Sequence, residues 1–361
     1  MDILTLVEFV LFFGVMLFIH EFGHYITAKL LGIRVDEVGF GFPPRLVKIG
    51  QFKETEITLN WIPFAAFVRL SGENDPEVPG GFGSAAPWKR IAVLLGGPLM
   101  NLAAGVILFM VLFGRLGMSD TSKVLVSVVE PGSPAESAGL QVGDLITAIN
   151  GSTIDNTQAL IDEVKLHLGQ EITLGIQRGD QQIEASATPR ENPPEGQGAL
   201  GIAMTNPVIP IPWYQTVPMA FQATYEQIKL TLEMPAKLIR GEVSGADARV
   251  VGPVGMYSMF SYAREEDESA ATAASGAPVN TSNLMTMQLM IVISIALGLT
   301  NLLPIPALDG GRILFTLPEL IFRKRIPPQY ENAVNTIGFL ALLVLMFFVT
   351  AQDIINPINL H

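Results

Sequence analysis

Polar and apolar positions along the 361-residue chain fall into blocks. Four runs are almost free of charge: Ile3 to Ile19, broken only by Glu8, then Ile91 to Phe113, Leu284 to Leu303 and Val334 to Ala351. Each approaches the ~20 residues that a helix needs to cross the hydrocarbon core of a bilayer. Core helices of soluble proteins seldom run so far without a charge, so the pattern predicts four membrane-spanning helices. Asp2 before the first run, and bulky Phe18-Ile19-His20-Glu21 at its end, argue against a cleaved leader, which wants a basic start and small residues. Between the second and third runs the pattern changes. Val124 to Val129 alternates as a strand does, and Asn150-Gly151 between apolar segments marks a tight hairpin turn. Ala159 to Leu168 has helical spacing, and Ile172 to Ile176 followed by Arg178-Gly-Asp180 predicts a closing hairpin. Arg34 to Ile49 and Glu56 to Leu70 also alternate as strands. Pro210 to Arg240, with Trp213 and Tyr214, is amphipathic and suits either a membrane interface or packing on the folded interior. Ser269 to Asn283, small and polar, predicts a flexible linker.

Charge sharpens this picture. Charged residues make up 16% of the chain and mean hydropathy is +0.41, against about 25% charged in soluble domains. The net charge of −12 excludes a nucleic-acid groove, which needs a basic face. The absence of cysteine excludes disulfides and thiolate metal sites. Eight basic residues lie between Tyr25 and Arg90 and four more from Arg312 to Arg325, whereas Gly114 to Asn283 carries ten basic and twenty acidic residues. Because cytoplasmic loops retain Lys and Arg, the two basic loops are expected inside, with both termini and the long middle stretch outside.

The first run ends in His20-Glu21-Phe22-Gly23-His24. On a helix the histidines stand at i and i+4 on one face, so both imidazoles can reach one divalent ion. Glu21 projects about 100° away from His20, placed to act on water beside the ion rather than on the ion itself. Ionisable groups at membrane depth are costly, which marks this cluster as functional. A catalytic zinc site takes three protein ligands and keeps one position open. Without cysteine, and with His167 and His361 on the far side, the third ligand is expected to be a carboxylate. Asp309, after Pro304 and Pro306 and before Gly310-Gly311, reaches the same side of the membrane as the histidines by the charge argument.

These features together closely resemble the site-2 protease family of intramembrane zinc metalloproteases, in its bacterial sigma-E-protease subgroup. The resemblance covers nearly the whole chain. It rests on the His-Glu-x-x-His run, the inward β-rich loop, Gly96-Gly97-Pro98-Leu-Met-Asn101, Gly252-Pro253-Val254-Gly255 and the pattern from Asn301 through Pro304 to Leu308-Asp309-Gly310. Ser133-Pro134-Ala135, Ala138-Gly139-Leu140, Gly143-Asp144 and Ile149-Asn150-Gly151 resemble a PDZ domain of bacterial envelope proteases. The resemblance implies Zn2+ held by His20, His24 and Asp309, with Glu21 as general base. It places Asn101, Asn301 and Pro304 near the substrate backbone; asparagines within spans can equally join helices. The inward loop departs from the family pattern, with Pro63-Phe64-Ala65-Ala66 where Pro-x-Gly-Gly is usual, and there is one PDZ domain where some relatives carry two.

The expected architecture is an α-helical integral membrane protein with four transmembrane helices, a cytoplasmic-side β-rich loop and an extracytoplasmic PDZ (α+β) domain. Its expected segments are helix 1 (1–30), the β loop (31–90), helix 2 (91–115), the PDZ domain (120–192), an extracytoplasmic amphipathic segment and linker (193–283), helix 3 (284–312) and helix 4 (332–352). The expected function is endopeptidase cleavage of single-pass transmembrane proteins, such as anti-sigma factors or signal-peptide remnants, in the bacterial inner membrane. The PDZ domain would bind a peptide or act as a size filter. The alternative is a non-catalytic membrane adaptor with a structural metal, which would need a fourth protein ligand.

Overall fold

The computed structural model describes residues 3–242, 249–273 and 283–358. It divides into two compact units, one formed by Met1–Gly114 with Pro212–His361, the other by Arg115–Ile211. In chain order, α1 (Ile3–Leu30) leads through β1 (Val35–Phe52) and β2 (Thr55–Leu70) to α2 (Pro87–Leu116). The second unit then holds β3 (Met118–Ser119), β4 (Val124–Val129), α3 (Pro134–Ser137), β5 (Leu145–Ile149), β6 (Ser152–Thr153), α4 (Thr157–Leu166), β7 (Ile172–Arg178), β8 (Gln181–Ala187), β9 (Ile202–Thr205) and β10 (Val208–Ile209). The first unit resumes with α5 (Trp213–Ile239), α6 (Pro253–Ala273), α7 (Leu284–Leu302), α8 (Asp309–Phe322) and α9 (Pro328–Ile355).

Among the described residues, α1, α2, α7 and α9 are the helices long and apolar enough to cross a membrane. They leave large apolar side chains uncovered, most conspicuously Ile337, Leu340, Val344 and Phe347 on α9. Hydrocarbon accommodates such a surface and water does not. The third apolar segment, expected to reach residue 312 with its helix broken by two prolines before Asp309, is two helices. Pro304 and Pro306 supply no backbone N–H, so α7 stops at Leu302 and Asp309 opens α8.

The segment before α7 is more ordered than its composition suggests. Phe260 of α6 packs with Phe9 and Phe12 of α1, and Arg264 pairs with Glu8, which explains the lone charge in the first apolar run. Asp267 caps α7 by accepting the N–H groups of Met285 (2.8 Å) and Thr286 (2.9 Å). Ile228 of α5 joins Leu112, Ile291 and Ile295, so the amphipathic helix lies on α2 and α7. Ser269–Ala273, expected in a linker, close α6; residues 274–282 of that expectation lie outside the described residues. Near the end of α9, buried Asp353 pairs with Arg249 (2.6 Å) and accepts from Gly252 and Gly255 (2.9 Å each). A Cβ at Gly252 would sit 2.8 Å from that carboxylate, which accounts for a glycine there.

Both long strands fold back on themselves, so β1 and β2 make four rows. Val38 pairs with Val68 on one side and Ile57 on the other, and Val47 pairs with Leu59. The rows therefore run 66–70, 35–40, 55–60 and 45–52, so β2 lies on both sides of the 35–40 row. Buried Glu37 is neutralised within the sheet by Arg45 (2.9 Å) and Arg69 (2.6 Å).

In the second unit the antiparallel order is β8-β7-β5-β4-β9, with β6 on β5. Val124, Val126, Ile146, Ile149, Ile172 and Leu174 form its core, closed by Leu160 and Val164 of α4. Asn150 and Gly151 both have positive φ (49° and 82°), as a two-residue hairpin turn of this kind requires. Asp144 is fully buried, accepts from Gln141 N (2.8 Å) and meets the Arg178 guanidinium twice, at 2.7 and 2.8 Å. The Arg178 hydrogen bonds hold the Asp144 carboxyl below its ordinary value of 3.8. Its stabilising contribution is therefore complete above that value and fades as the pH falls through the lower folded one. Thermal unfolding across pH 7 to 2 should show this unit weakening below about pH 4, and Arg178→Ala should lower its midpoint at neutral pH and flatten the acid decline.

Candidate metal centre

Helix α1 buries His20 and His24 one turn apart, with their rings nearly perpendicular at 84°. What lets them face a partner helix is the absence of side chains between α1 and α2. A Cβ at Gly23 would lie 2.2 Å from the Gly96 carbonyl oxygen, and one at Gly96 would lie 2.6 Å from that of Gly23. The backbones touch. One residue on, a Cβ at Gly97 would stand 2.4 Å from His24 Nε2 and 2.8 Å from His20 Cε1. The space in front of the imidazoles is the space a methyl group would take.

Asp309 enters from α8. Its Oδ2 lies 3.1 Å from His20 Nε2 and 3.3 Å from His24 Nε2, and the two Nε2 atoms are 3.2 Å apart. Four ligands placed tetrahedrally at zinc–nitrogen bond lengths are about 3.3 Å from one another, so these three atoms are spaced as three corners around such an ion. Among the described residues the group consists of these three side chains. The donor chemistry agrees. His24 Nδ1 is 2.8 Å from the Val93 carbonyl, which fixes the proton on Nδ1 and turns the Nε2 lone pair inward. Two nitrogens and a carboxylate oxygen, with no thiolate, suit zinc.

The loop before α8 holds Asp309 in place. A Cβ at Gly310 would lie 2.2 Å from the Leu303 carbonyl oxygen, and one at Gly311 2.3 Å from that of Ile305. The glycines are there to let loop carbonyls rest on the first turn of α8, rather than to bend the chain. Ala307 has a positive φ of 74° and donates its N–H to Asn335 Oδ1 on α9 (3.1 Å), so α9 braces the loop.

Glu21 stands apart from the three-residue group. Its Oε2 accepts the N–H of Val68 (2.9 Å), on the outer edge of the 66–70 row. Asn101 is fully buried, with its amide nitrogen 3.3 Å from His20 Nδ1 and its amide oxygen without a partner. A half-turn of the amide lets that oxygen accept the His20 Nδ1–H, which leaves His20 Nε2 a lone pair for an ion. Its backbone carbonyl accepts from Ser294 (2.8 Å), joining α2 to α7. Asn301 turns back on its own helix and donates to the Leu297 carbonyl (3.0 Å), while Pro304 is exposed on the loop. Gly97 stands in the sequence within Gly96-Gly97-Pro98, but its place under the imidazoles does not show there, and the Val93 carbonyl and the Val68 amide carry no sequence signal.

Residues 8–345 match the family model described as Peptidase family M50. A Clostridium perfringens relative is 34% identical over 352 residues, covering 96% of this chain and 97% of its own. The zinc metalloprotease RasP of Oceanobacillus iheyensis is 28% identical across 97% of this chain and 98% of its own, and that of Shouchella clausii 26% across 97% and 98%. The PDZ domain of the SdrC-like protein from Listeria monocytogenes is 27% identical, covers 23% of this chain and 87% of its own, and has a TM-score of 0.21.

Gly97→Ala should abolish stoichiometric zinc retention, measured by elemental analysis of purified protein, because the new methyl displaces His24. Gly114→Ala, with open space around the added carbon, should keep it.

Proposed function

The chain belongs to Peptidase family M50, the site-2 protease family of zinc-dependent metalloendopeptidases, and on that premise we propose that His20, His24 and Asp309 are its zinc ligands and Glu21 its general base. The observation that carries this reading is the mutual spacing of 3.1 to 3.3 Å among one atom from each of three residues, two of them 289 and 285 positions from the third. When bound, zinc supplies a Lewis acid that acidifies water and polarises the scissile carbonyl. Glu21 takes the proton from the attacking water and passes it to the departing amine. The Val68 N–H holds one carboxylate oxygen of Glu21 and leaves the other for this exchange. Asn101 acts through His20, keeping the ring's proton on the side away from the ion. Asn301 and Pro304, on the loop side, are proposed to meet the substrate backbone.

The substrate proposed is a single-pass transmembrane protein cleaved within the bilayer, as in regulated intramembrane proteolysis. A helix hides its amides in internal hydrogen bonds and must unwind before attack. The outer edge of the 66–70 row supports this, because a peptide strand added there would lie beside Glu21. In the second unit, a groove of about 430 Å³ between α4 and β9 is lined by Leu160, Val164, Leu200, Ile202 and Met204. It suits an extended peptide added to β9. The charge distribution supports residence in the bacterial inner membrane, with both termini and the PDZ-like unit extracytoplasmic and the metal centre toward the cytoplasmic side. The adaptor reading needs a closed metal site of four protein ligands, and the described cluster has three.

Glu21→Gln should retain zinc and lower cleavage of a model transmembrane substrate by at least about a hundredfold; cleavage at the wild-type rate would remove Glu21 from the chemistry. His24→Ala should lose the metal, and Asp309→Asn should weaken its retention. Asn101→Ala should lower zinc affinity by about ten- to a hundredfold, read by competition with a chelator, while the helical circular dichroism stays unchanged.

A further inference from the structure

A second concave site lies where α1 ends. It has a volume of about 480 Å³ and is lined by the last turns of α1, Gly32 to Arg34, and the tip of the β1–β2 hairpin, Phe52 to Glu54. Its charge is positive. Lys29 pairs with Glu54 and lies over the Tyr25 ring (5.9 Å), while Lys53 lies over the Phe52 ring (5.9 Å) and within electrostatic reach of the same Glu54. Arg34 has no ion-pair partner among the described residues, so Lys29, Arg34 and Lys53 share this one lining carboxylate. Lys53 also occupies a left-handed position (φ 54°), where a two-residue hairpin turn ordinarily takes glycine or asparagine. A β-carbon is disfavoured there, so the chain places a cation at this tip against its backbone preference. The site's rim is apolar: Leu30 and Phe52 are exposed, and Ile26 lines the wall. Trp88 is exposed close by, and Lys89 beside it donates to the Leu31 carbonyl (3.0 Å). Tryptophan and lysine at the end of an apolar helix mark the headgroup layer of a membrane.

We propose that this pocket binds the phosphodiester headgroup of an anionic phospholipid, with Arg34 and Lys53 on the phosphate oxygens and the acyl chains rising past Ile26 and Leu30. The volume lies within the range of small-ligand sites, about 300 to 1,000 Å³. Basic pockets at this depth attract anionic lipid heads. A headgroup seated here touches both α1, which carries the metal-binding histidines, and the far tip of the hairpin whose 66–70 row holds Glu21. It would thereby fasten the hairpin to the helix at a second point, beside the Lys29–Glu54 pair.

The test is native mass spectrometry of the full chain released from nanodiscs of phosphatidylglycerol or phosphatidylcholine, with parallel samples in detergent titrated with inorganic phosphate. The wild type should retain phosphatidylglycerol over phosphatidylcholine, and Arg34→Gln with Lys53→Gln should reduce that retention by about tenfold. Arg34→Lys should restore part of it. Arg323→Gln with Lys324→Gln removes the same charge elsewhere and should leave retention unchanged. Equal loss in both double variants would show a general charge effect and overturn the site. Equal retention of the two lipids would also overturn it. Displacement of phosphatidylglycerol by inorganic phosphate at equal concentration would assign the pocket to a soluble anion and contradict the lipid reading. Zinc content of each variant verifies folding independently of lipid.

Discussion

The contact on which the centre depends is between two backbones. Where α1 crosses α2, Gly23 and Gly96 approach so closely that either would collide with a carbonyl oxygen if it carried a Cβ. Lipid gives helices no hydrophobic reason to associate, so van der Waals packing of small residues has to hold them together. The same crossing brings Gly97 under the two imidazoles and delivers the Val93 carbonyl to His24 Nδ1. Ligand direction, ring tautomer and the room for an ion thus follow from one approach distance.

Several other polar groups of the scaffold helices are satisfied by a partner far away in sequence. Glu8 meets Arg264, Ser294 meets the Asn101 carbonyl, and Asp353 meets Arg249 and two backbone amides. An unpaired group at such a depth would cost several kcal/mol. These pairings connect α6 to both α1 and α9 and α2 to α7, so the scaffold around the centre is braced by its polar exceptions as much as by its apolar contacts. Asp309 joins the same logic, with loop carbonyls resting on Gly310 and Gly311 and Asn335 steadying Ala307.

Much of this was legible in the sequence because it is local. His20 and His24 share a helix face by spacing alone, Asn150-Gly151 specifies its turn, and Pro304 and Pro306 mark the break that frees Asp309. Uncharged runs locate the four long apolar helices. The parts that stayed hidden are long-range. Nothing near Glu8 announces Arg264, and nothing near Glu21 announces a backbone amide 47 positions later. The amphipathic pattern of α5 is legible, but that its Ile228 meets Leu112 and Ile291, or that Phe260 of α6 meets Phe9 and Phe12, is not. Strands β1 and β2 alternate as expected, yet alternation is silent about a strand that crosses to the far side of its partner. Asn101 carried the right chemistry for a substrate contact, but its full burial against His20 emerges only once α2 is laid on α1.

X-ray absorption at the zinc K-edge of the purified protein examines the central claim most directly. Two imidazole nitrogens, one carboxylate oxygen and one solvent oxygen, four-coordinate at about 2.0 to 2.1 Å, is the shell this account predicts, with the outer scattering of two imidazole rings. A shell with a single imidazole, or one closed by a fourth protein ligand, would contradict it.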